Sequence, residues 1–455
     1  MSKKSILQKI LAMMARATLR RYKPMIVGVT GSVGKTSTRL AIACVLAKKY
    51  RVGTAERNYN NEIGLPLAIL GMRHCGRNPL RWGAAYAYAA LKIMIRDSCY
   101  PDVLVLEYGI DRPGDMDYLL RIVRPDIAVV TAIGDIPAHI EFFRDAEELI
   151  EEKSKLVSSL TGNDPNEEST NPSDRKDLLT PAVFGNAQAK YAILNHDDED
   201  VFEMHEQTKA RVLTFGVGDH AMVRIMNYKF FIARDAGIGD APKGIIFKLF
   251  HNGSEVPVRL DGVLGLQYTY AAAAAAAAGI AVGMNLVEIS EALRGYRPPR
   301  GRMRLIHGNK HSLILDDTYN ASPESMRVAL ETLEQIPRKR KIAVLGDMRE
   351  IGTYTEQAHR TIGDRAAGFC DLLLCVGPAA KFIADEARAA GMAHDHILVF
   401  DDSREAGKKL DPLLGEGDVI LVKGSQAVRM EKAVEEIMAK PEKAEELLVR
   451  QEEYW

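Results

Sequence analysis

The stretch Val27-Gly28-Val29-Thr30-Gly31-Ser32-Val33-Gly34-Lys35-Thr36-Ser37-Thr38 constrains this chain more than any other. An apolar run leads into a tight glycine loop, and Lys-Thr-Ser then opens a helical pattern of Leu40, Ile42, Val45 and Leu46. Strand, glycine loop and helix in that order are the context a phosphate loop requires. Glycines let backbone N–H groups turn onto phosphate oxygens, and the helix N-terminus adds the positive end of its dipole. Lys35 is placed to reach terminal phosphates and the Thr36 hydroxyl to hold Mg2+. Thr30, Gly31, Ser32, Val33, Gly34, Lys35, Thr36 and Ser37 are therefore the candidate nucleotide-binding residues. Gly28 stands six positions before Gly34, where the common pattern has five. The compact Thr-Gly-Ser-x-Gly-Lys-Thr form still reads as a nucleotide site.

Around this loop the chain alternates strand and helix patterns, which implies a mainly parallel sheet. Residues Asp102–Glu107 form a second strand pattern ending in a carboxylate, and Ile127–Thr131 a third that leads to Gly134 and His139. Ligands gather at the carboxyl ends of such strands, which places Glu107 and His139 beside the loop. Asp145–Leu160 reads as a helix carrying Lys153. Residues 161–177 are a polar, proline-containing loop. A β-rich stretch follows (Arg211–Phe215, Val223–Ala233, Gly244–Phe250, Val256–Leu260), then an alanine-rich helix over Tyr270–Val282 whose small side chains permit close packing. Leu293–Arg302 reads as an interdomain linker. Beyond it, strand patterns at Leu313–Leu315, Ile342–Leu345, Leu372–Val376, Ile397–Phe400 and Val419–Val422 fit a second doubly wound sheet.

Two further features flank the loop. Residues 1–24 carry Ile6, Leu7, Ile10, Leu11, Met14 and Ala17 at helical spacing with basic residues between them,. Such a helix either docks on its own domain or lies on an anionic membrane face. Arg73–Tyr100 is basic and aromatic, with Arg73, Arg77, Arg81, Trp82, Tyr86 and Tyr88. Overall, 60 Lys and Arg balance 61 Asp and Glu, a formal net charge of −1, which argues against a nucleic-acid binder,. The five cysteines show neither a CxxC pair nor metal-finger spacing and fit reduced thiols,. No secretory signal is evident, and no apolar run reaches the ~20 residues that span a bilayer. A cytoplasmic protein is expected.

In the second half, Leu315-Asp316-Asp317-Thr318-Tyr319-Asn320-Ala321-Ser322-Pro323 ends a strand and opens a helix, with Ser322 as N-cap and Pro323 behind it,. Its carboxylates and Asn320 suit a ribose or a phosphate-bound metal; the plainer reading is a capped turn. Asp347 and the pair Lys423 and Ser425 also fall at strand ends. Lys423 and Ser425 are candidates to receive a carboxylate, Lys423 standing equally as a surface charge.

Together these blocks resemble the Mur ligase family, which builds the peptidoglycan stem peptide. Asn58-Tyr59-Asn60-Asn61-Glu62-Ile63-Gly64-Leu65-Pro66-Leu67, Asp316–Met326, Val344–Gly352 and Lys423-Gly424-Ser425 are similar to its D-alanyl-D-alanine-adding branch. The resemblance runs from about Met25 to about residue 436. It implies an α/β architecture: a central P-loop ATPase domain with a mainly parallel sheet (residues 25–300) and a C-terminal Rossmann-like α/β domain (residues 301–455), preceded by the short amphipathic helix of residues 1–24. It also implies an ATP-dependent peptide ligase that joins D-alanyl-D-alanine to a UDP-N-acetylmuramoyl-tripeptide through an acyl phosphate.

By resemblance, Lys35 contacts phosphates, Thr36 and Glu107 bind one Mg2+, and His139 and Lys153 belong to a second Mg2+ site. Lys153 would be carbamylated by CO2, which turns a cation into an oxygen ligand. From the residues alone, Lys153 reads as an exposed helical lysine. Arg302, Asp317 and Asn320 match positions that close onto ATP, while Asn60, Asn61, Asp347, Lys423 and Ser425 are assigned to substrate. A monomer is expected, with residues 1–24 as the candidate membrane contact. Three departures stand out. Nothing in the sequence matches the family's N-terminal UDP-binding domain. Gly265-Leu266-Gln267-Tyr268-Thr269-Tyr270-Ala271 replaces the usual His-Asn…Asn helix, which bears on the adenine contact. Arg73–Tyr100 reads as an insertion, a candidate to fold with residues 1–24 into a replacement substrate-docking or membrane-facing surface. A different acceptor, as in folate-polyglutamate or cyanophycin-like ligases, and a relative that binds nucleotide without ligating stay open.

Overall fold

The computed structural model describes residues 3–55, 59–76, 78–95, 97–137, 139–160, 189–235, 239–337 and 340–451. The polar loop 161–177 and Asn58 lie outside the described residues. The first sheet is built from β1 (Met25–Thr30), β2 (Val52–Thr54), β3 (Val103–Glu107), β4 (Ile127–Val130), β5 (Tyr191–Asn195), β6 (Arg211–Gly216), β7 (Val223–Asp235), β8 (Gly239–His251) and β9 (Ser254–Asp261). Its order is β2-β3-β1-β4-β5-β6-β7-β8-β9. Pairing is parallel as far as β7 and antiparallel across β7, β8 and β9. β1 therefore lies between β3 and β4, so the glycine loop emerges flanked by Glu107 on one side and the Thr131 segment on the other.

The second sheet contains β10 (Arg304–His307), β11 (Leu313–Asp317), β12 (Lys341–Gly346), β13 (Leu372–Val376), β14 (Ile397–Phe400) and β15 (Val419–Lys423), in the order β10-β11-β15-β12-β13-β14. Every pairing is parallel except that of β10 with β11. The side-chain period of two divides its strands cleanly. Leu313, Leu315, Ala343, Leu345, Leu373 and Cys375 join the core shared with the first lobe. Ile314, Ile342, Val344, Leu372, Leu374 and Val422 enter a separate core on the opposite face. Both faces are covered, which is why these strands read as unbroken apolar runs.

The alanine-rich helix spans Gln267–Ala281, and all eight alanines from Ala271 to Ala278 are buried. It packs on the helix that follows the glycine loop, Lys35–Leu46. A Cβ on Gly279 would sit 3.0 Å from both Ile289 Cγ1 and Val45 Cγ1, so the close approach expected of small residues is realised.

Residues Lys3–Tyr22 are one helix, and its apolar stripe faces inward. Leu11 is buried with Leu67, Leu70 and Trp82, Gln8 donates to Glu62 (3.0 Å), and the Tyr22 ring stacks on Tyr100 at 4.1 Å. The docked alternative thus accounts for this stripe. The Arg73–Tyr100 segment contributes a helix, Pro79–Met94, capped by Asn78 and packed beside the first helix. Among the described residues no helix is long and apolar enough to cross a membrane. All five cysteines are free thiols.

Candidate active site

The loop after β1 has the backbone that its glycines allow. Gly31 adopts φ +135°, and a Cβ there would lie 2.1 Å from Thr131 Oγ1; Gly34 adopts φ +85°. Both values lie in the region that only glycine enters without strain. Gly34 precedes helix Lys35–Leu46 and offers no side chain to cap it, so the first N–H groups of the helix are left for an anion,. Ser32 Oγ is buried with no partner among the described residues. Lys35 Nζ donates to the loop carbonyls of Gly31 (2.7 Å) and Ser32 (3.1 Å). These donors fit a polyphosphate.

Around the loop, Thr36 Oγ1 donates to Glu107 Oε2 (3.1 Å), and Asn60 Nδ2 donates to Glu107 Oε1 (3.2 Å). Arg39, one helical turn after Lys35, places Nε 3.4 Å from the same Glu107 Oε2. Lys153, on helix Ala146–Ser158, is buried and donates to Gly31 O (3.3 Å). Burial, and after it the charge of Lys35, pushes the Lys153 amine well below the usual lysine range. Burial also lowers Lys35, opposed by Glu107 and Asp111 and assisted by Arg302 of the other lobe. The reading of Lys153 as an exposed helical lysine is therefore corrected: the helix turns it into the loop.

His139 stands apart from this group. Its φ is +72°, its Nδ1 lies 2.7 Å from Glu350 Oε2 of the second lobe, and its Nε2 lies 3.7 Å from Asp111 Oδ1. No described contact joins it to Thr36, Glu107 or Lys153. Among the described residues no three His, Cys, Asp or Glu side chains cluster closely enough to hold a metal ion. The Thr36–Glu107 pair supplies hard oxygen donors of the kind Mg2+ takes.

On the second lobe, Lys423 Nζ donates to Asp317 Oδ2 (2.6 Å) and to Asn320 O (2.9 Å), while Asp317 Oδ1 accepts from Met303 N–H (3.0 Å). Lys423 is thus a buried ion-pair partner rather than a surface charge. Asp316 accepts from Thr318 Oγ1 (2.6 Å) and Gly301 N–H (3.2 Å), and burial pushes its carboxyl up to about 6. The Arg302 guanidinium lies 4.2 Å above the Tyr319 ring, and its carbonyl accepts from Tyr268 of the first lobe.

The substrate candidates separate into two kinds. Asn61 Oδ1 holds the N–H of Gly64 (2.9 Å), and Asp347 Oδ1 holds those of Ala379 (3.0 Å) and Ala380 (2.8 Å). Those groups organise the start of a helix each, and only a second oxygen or the amide nitrogen remains for a ligand. Ser425 Oγ, by contrast, is buried and without a partner among the described residues. Arg39, Asp111 and Glu350 were not singled out from the sequence. Arg39 had a usable signal, since it lies four residues after Lys35 on one helix face. Asp111 and Glu350 sit in loops, where no period marks them.

A glycine phosphate cradle on one sheet, met by a second Rossmann-like lobe whose Arg302 lies near enough to act on Lys35, defines a two-lobed nucleotide-using enzyme. The chain belongs to the Mur ligase family: the Mur ligase middle domain matches residues 29–79 and 87–166, and the Mur ligase, glutamate ligase domain matches residues 301–426. It is 26% identical over 433 residues to the UDP-N-acetylmuramoyl-tripeptide–D-alanyl-D-alanine ligase of Bacillus subtilis (strain 168), covering 95% of this chain and 79% of that protein. The ligase of the same name from Escherichia coli (strain K12) is 28% identical over 424 residues, 92% of this chain and 78% of that one. Among solved structures, MurF ligase from Thermotoga maritima in complex with ADP superposes with a TM-score of 0.72 at 25% identity, over 96% of this chain and 84% of that one. MurF from Acinetobacter baumannii shares the fold with a TM-score of 0.71 at 22% identity, over 94% of this chain and 79% of that one.

Proposed function

We propose that this chain is an ATP-dependent ligase that joins D-alanyl-D-alanine to a UDP-N-acetylmuramoyl-tripeptide in peptidoglycan precursor synthesis. The observation that carries this reading is the convergence of Lys35, the Thr36–Glu107 pair and buried Lys153 on one glycine loop, facing Arg302 of the second lobe. A carboxylate resists nucleophiles because of its charge. One of its oxygens attacks the terminal phosphorus of ATP, ADP leaves, and the resulting acyl phosphate has a good leaving group. The amine nitrogen of D-alanyl-D-alanine then attacks the carbonyl carbon, the C–O bond to phosphate breaks, an amide forms and a proton is released.

In this scheme Lys35 and the N–H groups at the helix start neutralise the transferring phosphate. Thr36 and Glu107 would hold Mg2+, which supplies charge neutralisation at the phosphates. The depressed Lys153 amine favours carbamylation, because CO2 adds only to a neutral amine. The carbamate would serve as an oxygen donor beside the loop. Arg302, Asp317 and Asn320 approach from the other lobe, and the free hydroxyl of Ser425 is available to a substrate carboxylate. Gln267 begins the alanine-rich helix with its Oε1 buried and unpartnered among the described residues, so an amide is still offered where the family's asparagine is missing. Such an enzyme needs no bilayer for its chemistry and is expected to act as a cytoplasmic monomer.

The test is phosphate release from ATP with Mg2+, offering UDP-N-acetylmuramoyl-tripeptide and D-alanyl-D-alanine together and singly, with mass detection of the ligated product. Release that requires both is the expected result. Lys35→Ala is expected to lose at least about a thousandfold in turnover, and full activity in that variant would overturn the assignment of the loop.

A further inference from the structure

The helix Pro79–Met94 is apolar on both sides. Its inner face packs Trp82 and Ala89 against Leu11 and Leu67. Its outer face carries Leu80, Tyr88, Leu91 and Met94 at helical spacing, continued by Ile95, and these are 83%, 53%, 53%, 78% and 65% exposed. Ala84 and Ala87, which share that face, are exposed as well. A helix that is apolar all round is ordinarily covered on every side, yet this outer stripe is left exposed. The family match is interrupted between residues 79 and 87, within this same helix.

Charge indicates what covers the stripe. No Asp or Glu occurs in residues 1–55 or 63–96. The adjacent helix Lys3–Tyr22 has an exposed Met13 (58%) among exposed Lys9, Arg20 and Arg21, with Lys23 just beyond. The bordering carboxylates already have partners: Glu62 accepts from Gln8, and Asp97 lies 3.4 Å from Lys92. Lys92 Nζ also lies 4.9 Å from the Tyr88 ring centroid, its stem against the apolar face and its charge at the edge,. An apolar ridge with flanking cations, on segments that contain no Asp or Glu, matches an anionic bilayer, which needs no complementary shape,. At 16 residues the helix is too short to span the hydrocarbon core and long enough to lie in the interface,.

We infer that the outward face of helix Pro79–Met94, flanked by the basic helix Lys3–Tyr22, docks this enzyme on an anionic phospholipid surface. The contact differs from the one expected of residues 1–24, because their own apolar stripe is buried against the domain. The proposal stands whether or not the assigned substrates are right, and its readout is physical.

The full chain is co-sedimented with phosphatidylglycerol–phosphatidylcholine vesicles and with pure phosphatidylcholine vesicles, at low and high salt. Binding is expected to the anionic vesicles at low salt only. Leu91→Glu combined with Met94→Glu should abolish it, with far-UV circular dichroism and solution ligase activity unchanged. Replacing Arg20, Arg21 and Lys23 by Gln should weaken vesicle binding about a hundredfold, from the usual contribution of a basic residue near an anionic surface. Equal sedimentation of native and doubly substituted protein, or equal binding to neutral and anionic vesicles, would overturn the proposal. So would a dimer in light scattering that Leu91→Glu and Met94→Glu convert to a monomer, since the face would then belong to a second copy of the chain.

Discussion

At the scale of single residues, the site depends on burying cations and carboxylates that would each prefer water. Lys153 is the sharpest case: it is buried, its amine is pushed well down, and its hydrogen-bond acceptor is one loop carbonyl shared with Lys35. An amine whose proton affinity is lowered in this way adds CO2 more readily, and the carbamate it forms carries a negative charge that Lys35 would offset. Protein equilibrated with 13C-bicarbonate is expected to give a carbamate carbon resonance that Lys153→Ala lacks, with the variant's ligase activity partly restored by short carboxylic acids. Asp316 makes a different prediction. Its folded value, about 6, lies above that of an unfolded aspartate, about 3.9,. The folded chain therefore holds the proton more tightly, and this group's contribution to stability declines as pH rises from about 4 to about 6. Thermal melts across that range should differ between the native chain and Asp316→Asn, the variant's melting temperature rising more, or falling less, from about pH 4 to about pH 6,.

At the scale of elements, the helix after the glycine loop is held by its close approach to the alanine-rich helix. Gly279→Val would place methyl groups where a single Cβ is already 3.0 Å from Ile289 and Val45. Overpacking of that kind costs about 1–3 kcal/mol, and because it acts on helix Lys35–Leu46 it should also raise the KM for ATP; denaturant unfolding and initial rates measure the two effects. The same contact explains what the sequence could and could not reveal. A run of eight alanines announces a buried helix, and continuous apolar runs announced Leu372–Val376 and Ile397–Phe400 to the residue. The hairpin strands Val223–Asp235 and Gly239–His251 outrun the apolar patterns within them, because their ends are held by cross-strand hydrogen bonds rather than by burial. The edge strand Arg304–His307 escaped notice for the same reason, pairing on one side only. In the site, the glycine loop and Glu107 were legible because strand ends collect ligands. The burial of Lys153 was not legible from the residues, since a lysine on a polar helix gives no sign of which way it points. Asp347 carries a structural task that the sequence did not announce: its Oδ1 holds two backbone N–H groups of the next helix.

At the scale of the whole molecule, the two lobes meet across the mouth of the glycine loop. Arg302 is near enough to depress Lys35, Tyr268 reaches the Arg302 carbonyl, a Cβ on Gly134 would lie 3.2 Å from Glu324 Cγ, and His139 pairs with Glu350 at 2.7 Å. His139 thus has two candidate roles: a metal-site residue, which the family resemblance implies, and a clamp between lobes, which its contacts favour. The hydrogen bond to His139 holds the Glu350 carboxyl below the usual range, so the clamp is strongest where Glu350 is ionised and weakens as pH falls through that depressed value. A double-mutant cycle separates the roles, because residues that act only through each other show full non-additivity. If His139 serves as a clamp, His139→Gln, Glu350→Gln and the double variant should lose the same factor in kcat/KM, about tenfold for a partly exposed imidazole–carboxylate contact. The loss should be insensitive to Mg2+ concentration and accompanied by a larger radius of gyration in X-ray scattering. If His139 serves the metal, His139→Gln alone should lose far more than Glu350→Gln, added Mg2+ should recover part of it, and the radius should stay fixed. The 2.7 Å pair between lobes, with no described contact from His139 to Glu107 or Lys153, makes the first outcome the expected one.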